Sequence, residues 1–314
     1  MTTRHLVDPE LLAMLDGFPP MTLSAGSLPL IRQALPAMLA AQPAPDYPAS
    51  CSEVHIPSGE GERTIRCLLV RPVAAVSEAP AVLHFHGGGH VLGVPEMNRG
   101  QLMRWAAELG CVALSVDYRL APETPFPGPM DDAWAALRWL HEQAGPLGID
   151  PARIAVSGES AGGAMAACLA LMARDRGEFG IAFQHLEAPR LEDRLAAPDD
   201  DNPCNPCTGE FVWTRANSAF CRAAYLGSNE SPYGSAARAT DLSGLPPTYI
   251  AVGSLDLFVD ECLAYTARLT RAGVPVELIV YPGAFHGFKM ASAASVAQRA
   301  ERDNIVALRR AFGG

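Results

Sequence analysis

The 314-residue sequence lacks any apolar run of about 18 residues, the length that a membrane-spanning helix needs. Its first residues also lack the apolar segment of a secretory signal. Positive charge is scarce, because 24 lysine and arginine residues stand against 34 acidic ones, for a net charge of −10. Nucleic acids and anionic membrane surfaces bind basic faces, so this balance argues against both as partners. We therefore expect a cytoplasmic protein without a membrane span.

The eight cysteines show no paired framework. Cys67, Cys111 and Cys168 lie within apolar strand or helix patterns, which is typical of buried free thiols in a reducing compartment. Cys204 and Cys207 have the spacing of a redox or zinc site, but no second pair follows and no strand–helix context surrounds them. Free thiols are the favoured interpretation, and metal or disulfide chemistry at that pair is the alternative.

Beyond residue 48, short β-type runs alternate with helical patterns. The β-type runs cover residues 53–56, 64–70, 81–85, 112–116, 154–156, 182–186, 248–252 and 276–281. The helical patterns cover residues 101–109, 131–142, 161–174, 260–271 and 295–312. This alternation indicates an α/β fold, with a mostly parallel eight-stranded sheet and helices on both faces. The first two strands have no helix between them, which predicts an antiparallel hairpin at one edge.

The chain divides into four sections by pattern. They are N-terminal cap helices at 1–48, a first part of the core at 49–189, an insertion at 190–235 and a second part of the core at 236–314. The insertion is polar and rich in loops, and long insertions between core strands are usually lids or binding loops. It carries four aromatic residues, which either line an apolar pocket or pack in the core: Phe211, Trp213, Phe220 and Tyr225. We expect this cap to cover the carboxyl ends of the strands.

The most informative segment is the sequence GESAG at residues 158–162. It follows an apolar run and opens a helical pattern, which predicts a strand, a sharp turn and a helix. A serine at such a turn has a strained backbone and an exposed hydroxyl, and the flanking glycines leave room for the turn. The helix N-terminus favours negative charge beside Ser160. A glycine-rich connection with an inert serine is the alternative.

A serine nucleophile also needs N–H donors for the oxyanion that it creates. The sequence HGGG at residues 86–89 directly follows a predicted strand. The main-chain N–H groups of Gly87 and Gly88, with that of Ala161, could form the oxyanion hole seen in lipases and esterases. A flexible turn is the alternative.

Three histidines lie in or beside this loop, namely His84, His86 and His90. Histidine clusters can bind metal ions, but no carboxylate or cysteine accompanies these three. We expect no metal here, and the chemistry that the serine indicates needs no organic cofactor.

The serine further needs a base and a group that orients the base. His286 follows the strand pattern at 276–281, and Asp256 follows the one at 248–252. Asp260 competes for the acid role, but it begins a helical pattern and is better explained as its N-cap. The order Ser160, Asp256, His286 matches that of the α/β-hydrolases.

These motifs together resemble the hormone-sensitive-lipase family of serine esterases, a branch of the α/β-hydrolase fold. The matching segments are HGGG at 86–89, DYRLAPE at 117–123, PFP at 125–127, GESAGG at 158–163 and HGF at 286–288. The resemblance implies that Ser160 is the nucleophile, His286 the base and Asp256 its orienting acid. It also implies that His86 and Tyr118 support the oxyanion loop of Gly87, Gly88 and Gly89 without reacting.

The sequence departs from the family pattern at three positions. Glu159 stands where the family more often has Asp, and Leu257 replaces the usual Pro after the catalytic acid. His90 occupies a place near the acyl site that an aromatic or aliphatic residue often holds. We expect His90, Trp213 and Phe285 to line the substrate pocket and Glu159 to support the nucleophile.

The resemblance implies a carboxylic ester hydrolase that forms an acyl-enzyme with small to medium acyl esters. An amidase or arylformamidase on the same triad is one alternative. A non-catalytic small-molecule receptor of the same fold is another, although the plant gibberellin receptors of this type lack the catalytic histidine that is present here. The expected partner is a small ester. We also expect a homodimer, because the sheet has an exposed edge strand and proteins of this family often form dimers.

Overall fold

The structure is a computed structural model that describes residues 2–18, 21–41, 46–74, 77–192 and 205–313. Its strands are β1 (Ala49–Pro57), β2 (Thr64–Pro72), β3 (Ala79–Phe85), β4 (Val112–Val116), β5 (Ile149–Glu159), β6 (Phe183–Glu187), β7 (Thr248–Gly253) and β8 (Val276–Tyr281). Its helices are α1 (Leu12–Gly17), α2 (Leu28–Ala40), α3 (Arg99–Leu109), α4 (Gly128–Glu142), α5 (Ala144–Leu147), α6 (Ala161–Arg176), α7 (Arg215–Tyr225), α8 (Val259–Arg271) and α9 (Ser295–Ala311).

The strands form one eight-stranded sheet in the order β1-β2-β4-β3-β5-β6-β7-β8. β1 pairs with β2 and β2 with β4 in the antiparallel sense, and the remaining neighbours pair in parallel. The predicted hairpin at one edge and the mostly parallel sheet are therefore confirmed. Because β3, β5, β6, β7 and β8 run in parallel, the loops that follow them meet at one rim.

Helices cover both faces of the sheet, as the alternation predicted. One apolar core includes Trp105 of α3 and Leu308 of α9. The core on the other face includes Leu137 of α4, Leu169 of α6 and Leu269 of α8. Within the described ranges, no helix is long and apolar enough to cross a membrane.

The insertion at 190–235 contains a helix, α7, that the polar sequence did not predict. The hydroxyl of Thr214 caps its first turn by accepting from the N–H of Asn217 at 3.2 Å. The Asn217 side chain then bonds the N-terminal segment, accepting from Leu23 N–H at 2.9 Å and donating to the Met21 carbonyl at 2.9 Å. The insertion and the N-terminal segment are thus joined by hydrogen bonds.

Candidate active site

Ser160 lies at the sharp turn between β5 and α6. Its φ of 57° and ψ of −115° are strained for a residue with a side chain. The flanking glycines are required by close backbone contacts, since a Cβ on Gly158 would lie 2.2 Å from the Gly162 carbonyl carbon. A Cβ on Gly162 would lie 2.0 Å from the Phe85 carbonyl oxygen. Tight packing therefore holds the turn in its strained form and fixes the Ser160 hydroxyl at the rim.

The structure brings together the three side chains that the sequence singled out. His286 Nε2 lies 3.0 Å from Ser160 Oγ, and His286 Nδ1 lies 2.8 Å from Asp256 Oδ2. The other oxygen of Asp256 accepts from the N–H of Phe258 at 2.9 Å, which fixes the carboxylate. A carboxylate only accepts hydrogen bonds, so Nδ1 carries the proton of the neutral ring and Nε2 is free to accept from the serine hydroxyl.

The charges around His286 favour its protonated form. Burial opposes the imidazolium, but the charge of Asp256 and its hydrogen bond outweigh burial, and Glu159 adds a smaller effect. Together they raise the pKa of His286 above its ordinary value. The site can therefore stabilise a proton taken from Ser160.

The glycine loop after β3 lies directly against Ser160. A Cβ on Gly87 would lie 3.6 Å from the Ser160 Cβ, and Gly88 has a φ of +117° that favours glycine. Within the described part of the chain, the N–H groups of Gly87 and Gly88 donate to no main-chain acceptor. Ala161 opens α6, where a helix leaves its first N–H groups without helical partners. These donors are therefore available to an anion beside Ser160.

His86 and Tyr118 brace this loop from behind. His86 Nδ1 lies 2.8 Å from the Gly87 carbonyl oxygen, and its ring stacks on Tyr118 with centroids 4.2 Å apart. The Tyr118 hydroxyl donates to the His86 carbonyl at 2.7 Å. Gly89 packs against Cys221 and Trp213, and an added Cβ would lie 2.5 Å from the Cys221 sulfur. The loop therefore packs against Tyr118 on one side and against Trp213 and Cys221 of the insertion on the other.

Glu187, at the end of β6, is a site residue that the sequence analysis missed. Its carbonyl accepts the N–H of Ser160 at 2.8 Å, and its carboxylate pairs with Lys289. Gln101 and Asn304 each donate to that carboxylate at 2.8 Å. Burial opposes its ionisation, but Lys289 above all holds the pKa of Glu187 at about 2. A charged residue at the end of a parallel strand was the signal that could have identified it.

Glu159 lines a cavity of about 20 Å³ together with Glu187 and Lys289. Burial raises the pKa of its carboxyl group above the ordinary value, although Lys289 opposes that shift. Glu159 therefore lies beside the Glu187–Lys289 pair, while its main-chain carbonyl lies against Gly87.

The three residues expected in the substrate pocket have different environments. His90 is buried and stacks on Tyr225 with ring centroids 3.8 Å apart. Trp213 is also buried, and its ring centroid lies 5.9 Å from that of His286. The prediction for Phe285 needs correction, because this ring is fully buried in the core that α3 and α9 cover, where it contacts Phe211.

The prediction that Asp260 caps a helix is wrong. Helix α8 begins at Val259, one residue earlier than predicted, and Phe258 occupies the N-cap position. Asp260 is exposed in the first turn, where a negative charge favours the helix dipole. It accepts from Asn205 at 3.1 Å, and among the described residues His286 pairs with Asp256 and not with Asp260.

No group of three or more metal-ligating side chains occurs in the ranges that the structure describes. Cys204 lies outside those ranges, and Cys207 is a half-buried free thiol. His84 lies near Ser115 at 3.3 Å, and its pKa is lowered to about 3 by burial.

Comparison with known proteins agrees with this architecture. A family model described as the alpha/beta hydrolase fold matches residues 82–290. Esterase LipI of Mycobacterium tuberculosis is 36% identical over 98% of this chain and 96% of its own length. Carboxylesterase NlhH of the same species is 34% identical over 98% of this chain and 96% of its own. The solved structure "Bacterial Heroin Esterase" superposes with a TM-score of 0.90 at 39% identity and covers 99% of both chains.

The fold, the shared motifs and the full-length similarity agree with one another. The chain therefore belongs to the hormone-sensitive-lipase-like esterases of the α/β-hydrolase fold and is an enzyme of the esterase class.

Proposed function

We propose that this protein hydrolyses small to medium carboxylic esters through a Ser160–His286–Asp256 triad and an acyl-enzyme. The observation that carries the proposal is the pair of contacts to one imidazole, 3.0 Å to Ser160 and 2.8 Å to Asp256. A serine hydroxyl with a base on one side, and an acid behind that base, is the arrangement that activates a nucleophile.

The reaction begins when neutral His286 takes the proton of Ser160 as its Oγ attacks the ester carbonyl. The carbonyl oxygen becomes negative and accepts hydrogen bonds from the N–H groups of Gly87, Gly88 and Ala161. The His286 imidazolium then protonates the leaving alcohol, which departs and leaves an acyl group on Ser160.

Water completes the cycle. His286, neutral again, takes a proton from a water molecule that attacks the acyl-enzyme. The second oxyanion accepts hydrogen bonds from the same N–H groups. Collapse of the tetrahedral intermediate then releases the acid and returns the proton to Ser160. No step in this sequence needs a metal ion or an organic cofactor.

We also propose that residues 1–48 and 190–235 form one cap over the site, on a core of residues 49–189 and 236–314. The hydrogen bonds that Asn217 makes with Leu23 and Met21 support a single cap. The packing of Gly89 against Trp213 and Cys221 supports a cap that lies beside the glycine loop.

The test is the turnover of p-nitrophenyl butyrate by purified Ser160→Ala. Loss of the nucleophile should lower kcat by about 10⁴-fold or more. Ser157→Ala is a matched control, because Ser157 lies in β5 three residues before Ser160 and also contacts a buried histidine, His185, at 3.1 Å. The control should keep kcat within a few fold, and retained turnover by Ser160→Ala would overturn the proposal.

Ester and amide substrates separate the two hydrolase classes on the same triad. We expect p-nitrophenyl butyrate to exceed the matched p-nitroanilide in kcat/KM, because the similar proteins are named as esterases. Acyl chains of two to twelve carbons, compared in one series, should give highest kcat/KM at the short to medium members. A higher kcat/KM for the anilide would instead favour an amidase.

A homodimer is the remaining proposal. β1 is an edge strand of the sheet, and an edge with unpaired main-chain groups can pair with a second copy. Light scattering of the eluted protein should give twice the chain mass of 33.3 kDa. The mass of a single chain would refute the homodimer.

A further inference from the structure

Arg190 follows β6 and lies beside the nucleophile. Its main-chain N–H donates to the Ser160 carbonyl at 3.2 Å. Its neighbour Leu191 accepts from the N–H of Ala237 at 3.0 Å and from the hydroxyl of Ser235 at 2.9 Å. Hydrogen bonds at Arg190 and at Leu191 therefore fix the backbone here. The side chain of Arg190 begins at a residue that is hydrogen-bonded to Ser160.

The side chain of Arg190 is buried, and within the described ranges two of its guanidinium nitrogens have no partner. The residue is 4% exposed, and its Nε and Nη2 atoms are buried without a hydrogen-bond partner among the residues that the structure describes. An ionised group without a partner is costly to bury, and a guanidinium cannot lose its proton to avoid that cost. The mechanism of ester hydrolysis leaves this cation without a role.

Glu261 of α8 is a candidate for an internal partner, because the charge of Arg190 acts on it. Its Oε2 accepts from the N–H of Glu192 at 2.6 Å, and its Oε1 is buried and unpartnered. Within the described residues, no ion pair joins Glu261 to Arg190. Burial raises the pKa of Glu261 well above its usual range, although the hydrogen bond from the Glu192 N–H and the charge of Arg190 oppose that shift.

The groups around the guanidinium belong to the oxyanion loop and the cap. Burial, and after it the charge of Arg190, keeps the pKa of His90 well below its usual range. His90 stacks on Tyr225 of α7, and Cys221 of the same helix contacts Gly89. The charge of Arg190 acts on Cys221 and Tyr225 as well, so the guanidinium lies near α7.

We propose that Arg190 is a substrate-binding residue that pairs with a carboxylate of the ester, so that the enzyme prefers anionic esters such as monoesters of short dicarboxylic acids. A guanidinium offers a planar fork of N–H donors that matches a carboxylate with two parallel hydrogen bonds. A bound substrate carboxylate would supply the partners that Nε and Nη2 lack. The proposal rests on the hydrolase function proposed for Ser160.

The kinetic test compares two esters that differ in charge and hardly in shape, monoethyl succinate and ethyl succinamate. We expect kcat/KM for monoethyl succinate, the anionic ester, to exceed that for ethyl succinamate, the neutral ester, by about tenfold or more. This factor corresponds to the free energy of one charge-assisted hydrogen bond. Arg190→Met should abolish this ratio, and Arg190→Lys should keep part of it. Arg309→Met removes an exposed arginine of α9 and should leave the ratio unchanged.

The position of the carboxylate is a second arm of the same experiment. Monoethyl succinate carries it in the acyl part, whereas 3-acetoxypropionate carries it in the alcohol part. The ester whose kcat/KM depends more on Arg190 identifies the side of the scissile bond that the guanidinium faces.

Binding to Ser160→Ala separates this proposal from the proposed function. Calorimetry should show that monoethyl succinate binds this variant at least about tenfold more tightly than ethyl succinamate, and that adding Arg190→Met removes the difference. If the wild-type enzyme shows equal kcat/KM for the two esters, and Arg190→Met lowers both equally, the carboxylate site is refuted. Retained turnover by Ser160→Ala would refute the triad and leave the binding result valid.

Discussion

The main chain of Ser160 is hydrogen-bonded to Glu187 and Arg190, which are associated with two cations in opposite surroundings, the half-buried Lys289 and the buried Arg190. On one side, its N–H donates to the carbonyl of Glu187, whose carboxylate pairs with Lys289. On the other side, its carbonyl accepts from the N–H of Arg190, whose guanidinium is unpaired among the described residues. Lys289 is the single lysine of the sequence and also pairs with Glu301 at 2.9 Å. One cation is fully paired within the protein, and the other is not.

The difference separates a structural charge from a binding charge. Lys289 follows His286 by three residues, so its pair with Glu187 joins the loop of His286 to the end of β6, which contacts Ser160. A buried pair of this kind is strongly destabilising to break, because one charge remains uncompensated. Arg190 has no such partner in the part of the chain that the structure describes, and we propose that its charge is available to a ligand.

The largest expected effect is on kcat and concerns the proposed triad. Asp256→Asn should lower kcat by about 10³ to 10⁴-fold, because an amide does not hold His286 in the required tautomer. Steady-state kinetics on p-nitrophenyl butyrate measures it. Asp260→Asn is the matched control and should stay within a few fold, since Asp260 is exposed in the first turn of α8. The reverse pattern would transfer the acid role to Asp260.

The paired cation should matter for folding. Lys289→Met should lower the free energy of unfolding by about 3–5 kcal/mol, because it leaves Glu187 charged and buried. Urea unfolding followed by tryptophan fluorescence provides the measurement. Lys289→Met with Glu187→Gln should recover part of the loss, because the second change removes the uncompensated charge. Equal stability of Lys289→Met and wild type would show that the Lys289–Glu187 pair does not stabilise the fold.

The unpaired cation should behave in the opposite way. Arg190→Met removes a buried charge that has no partner, so the free energy of unfolding should stay within about 1 kcal/mol or rise. The same urea experiment measures it. A loss as large as that of Lys289→Met would mean that Arg190 has an internal partner in the folded protein.

The smallest expected effect is on the pH dependence. His286 acts as a base when neutral, and its pKa lies above the ordinary 6.5, so kcat/KM should fall as the pH drops through that raised value. The midpoint of the acid limb should therefore lie above pH 6.5. Glu159→Gln removes one charge that favours the imidazolium and should move the midpoint to lower pH. A pH–rate profile that stays flat down to pH 5 would argue against His286 as the base.

The sequence was sufficient for the features that local pattern determines. Strands β4 and β8 lie at the predicted residues, because short apolar runs flanked by turn residues define them. The turn at Ser160 and the loop at Gly87 follow from glycines that sterics require. Helix α7 was missed because its apolar face is short and polar residues such as Asn217 interrupt it.

Features that depend on distant partners could not be predicted in the same way. Glu187 and Lys289 are about a hundred residues apart, and the residues around each of them do not indicate that the two side chains pair. The isolation of Arg190 is a property of the packed structure, since it depends on what surrounds the side chain. Phe285 was assigned to the pocket because it adjoins His286 in sequence, whereas the loop turns its ring into the core.

The most direct test of the account is the reaction of the wild-type enzyme with a fluorophosphonate, followed by peptide mass spectrometry. This reagent is attacked by an activated serine and stays attached, so it reports the nucleophile without any assumption about substrate. We predict one adduct per chain, on Ser160, and a much slower reaction in His286→Ala. A wild-type protein that remains unlabelled at Ser160 while hydrolysing esters would contradict the account.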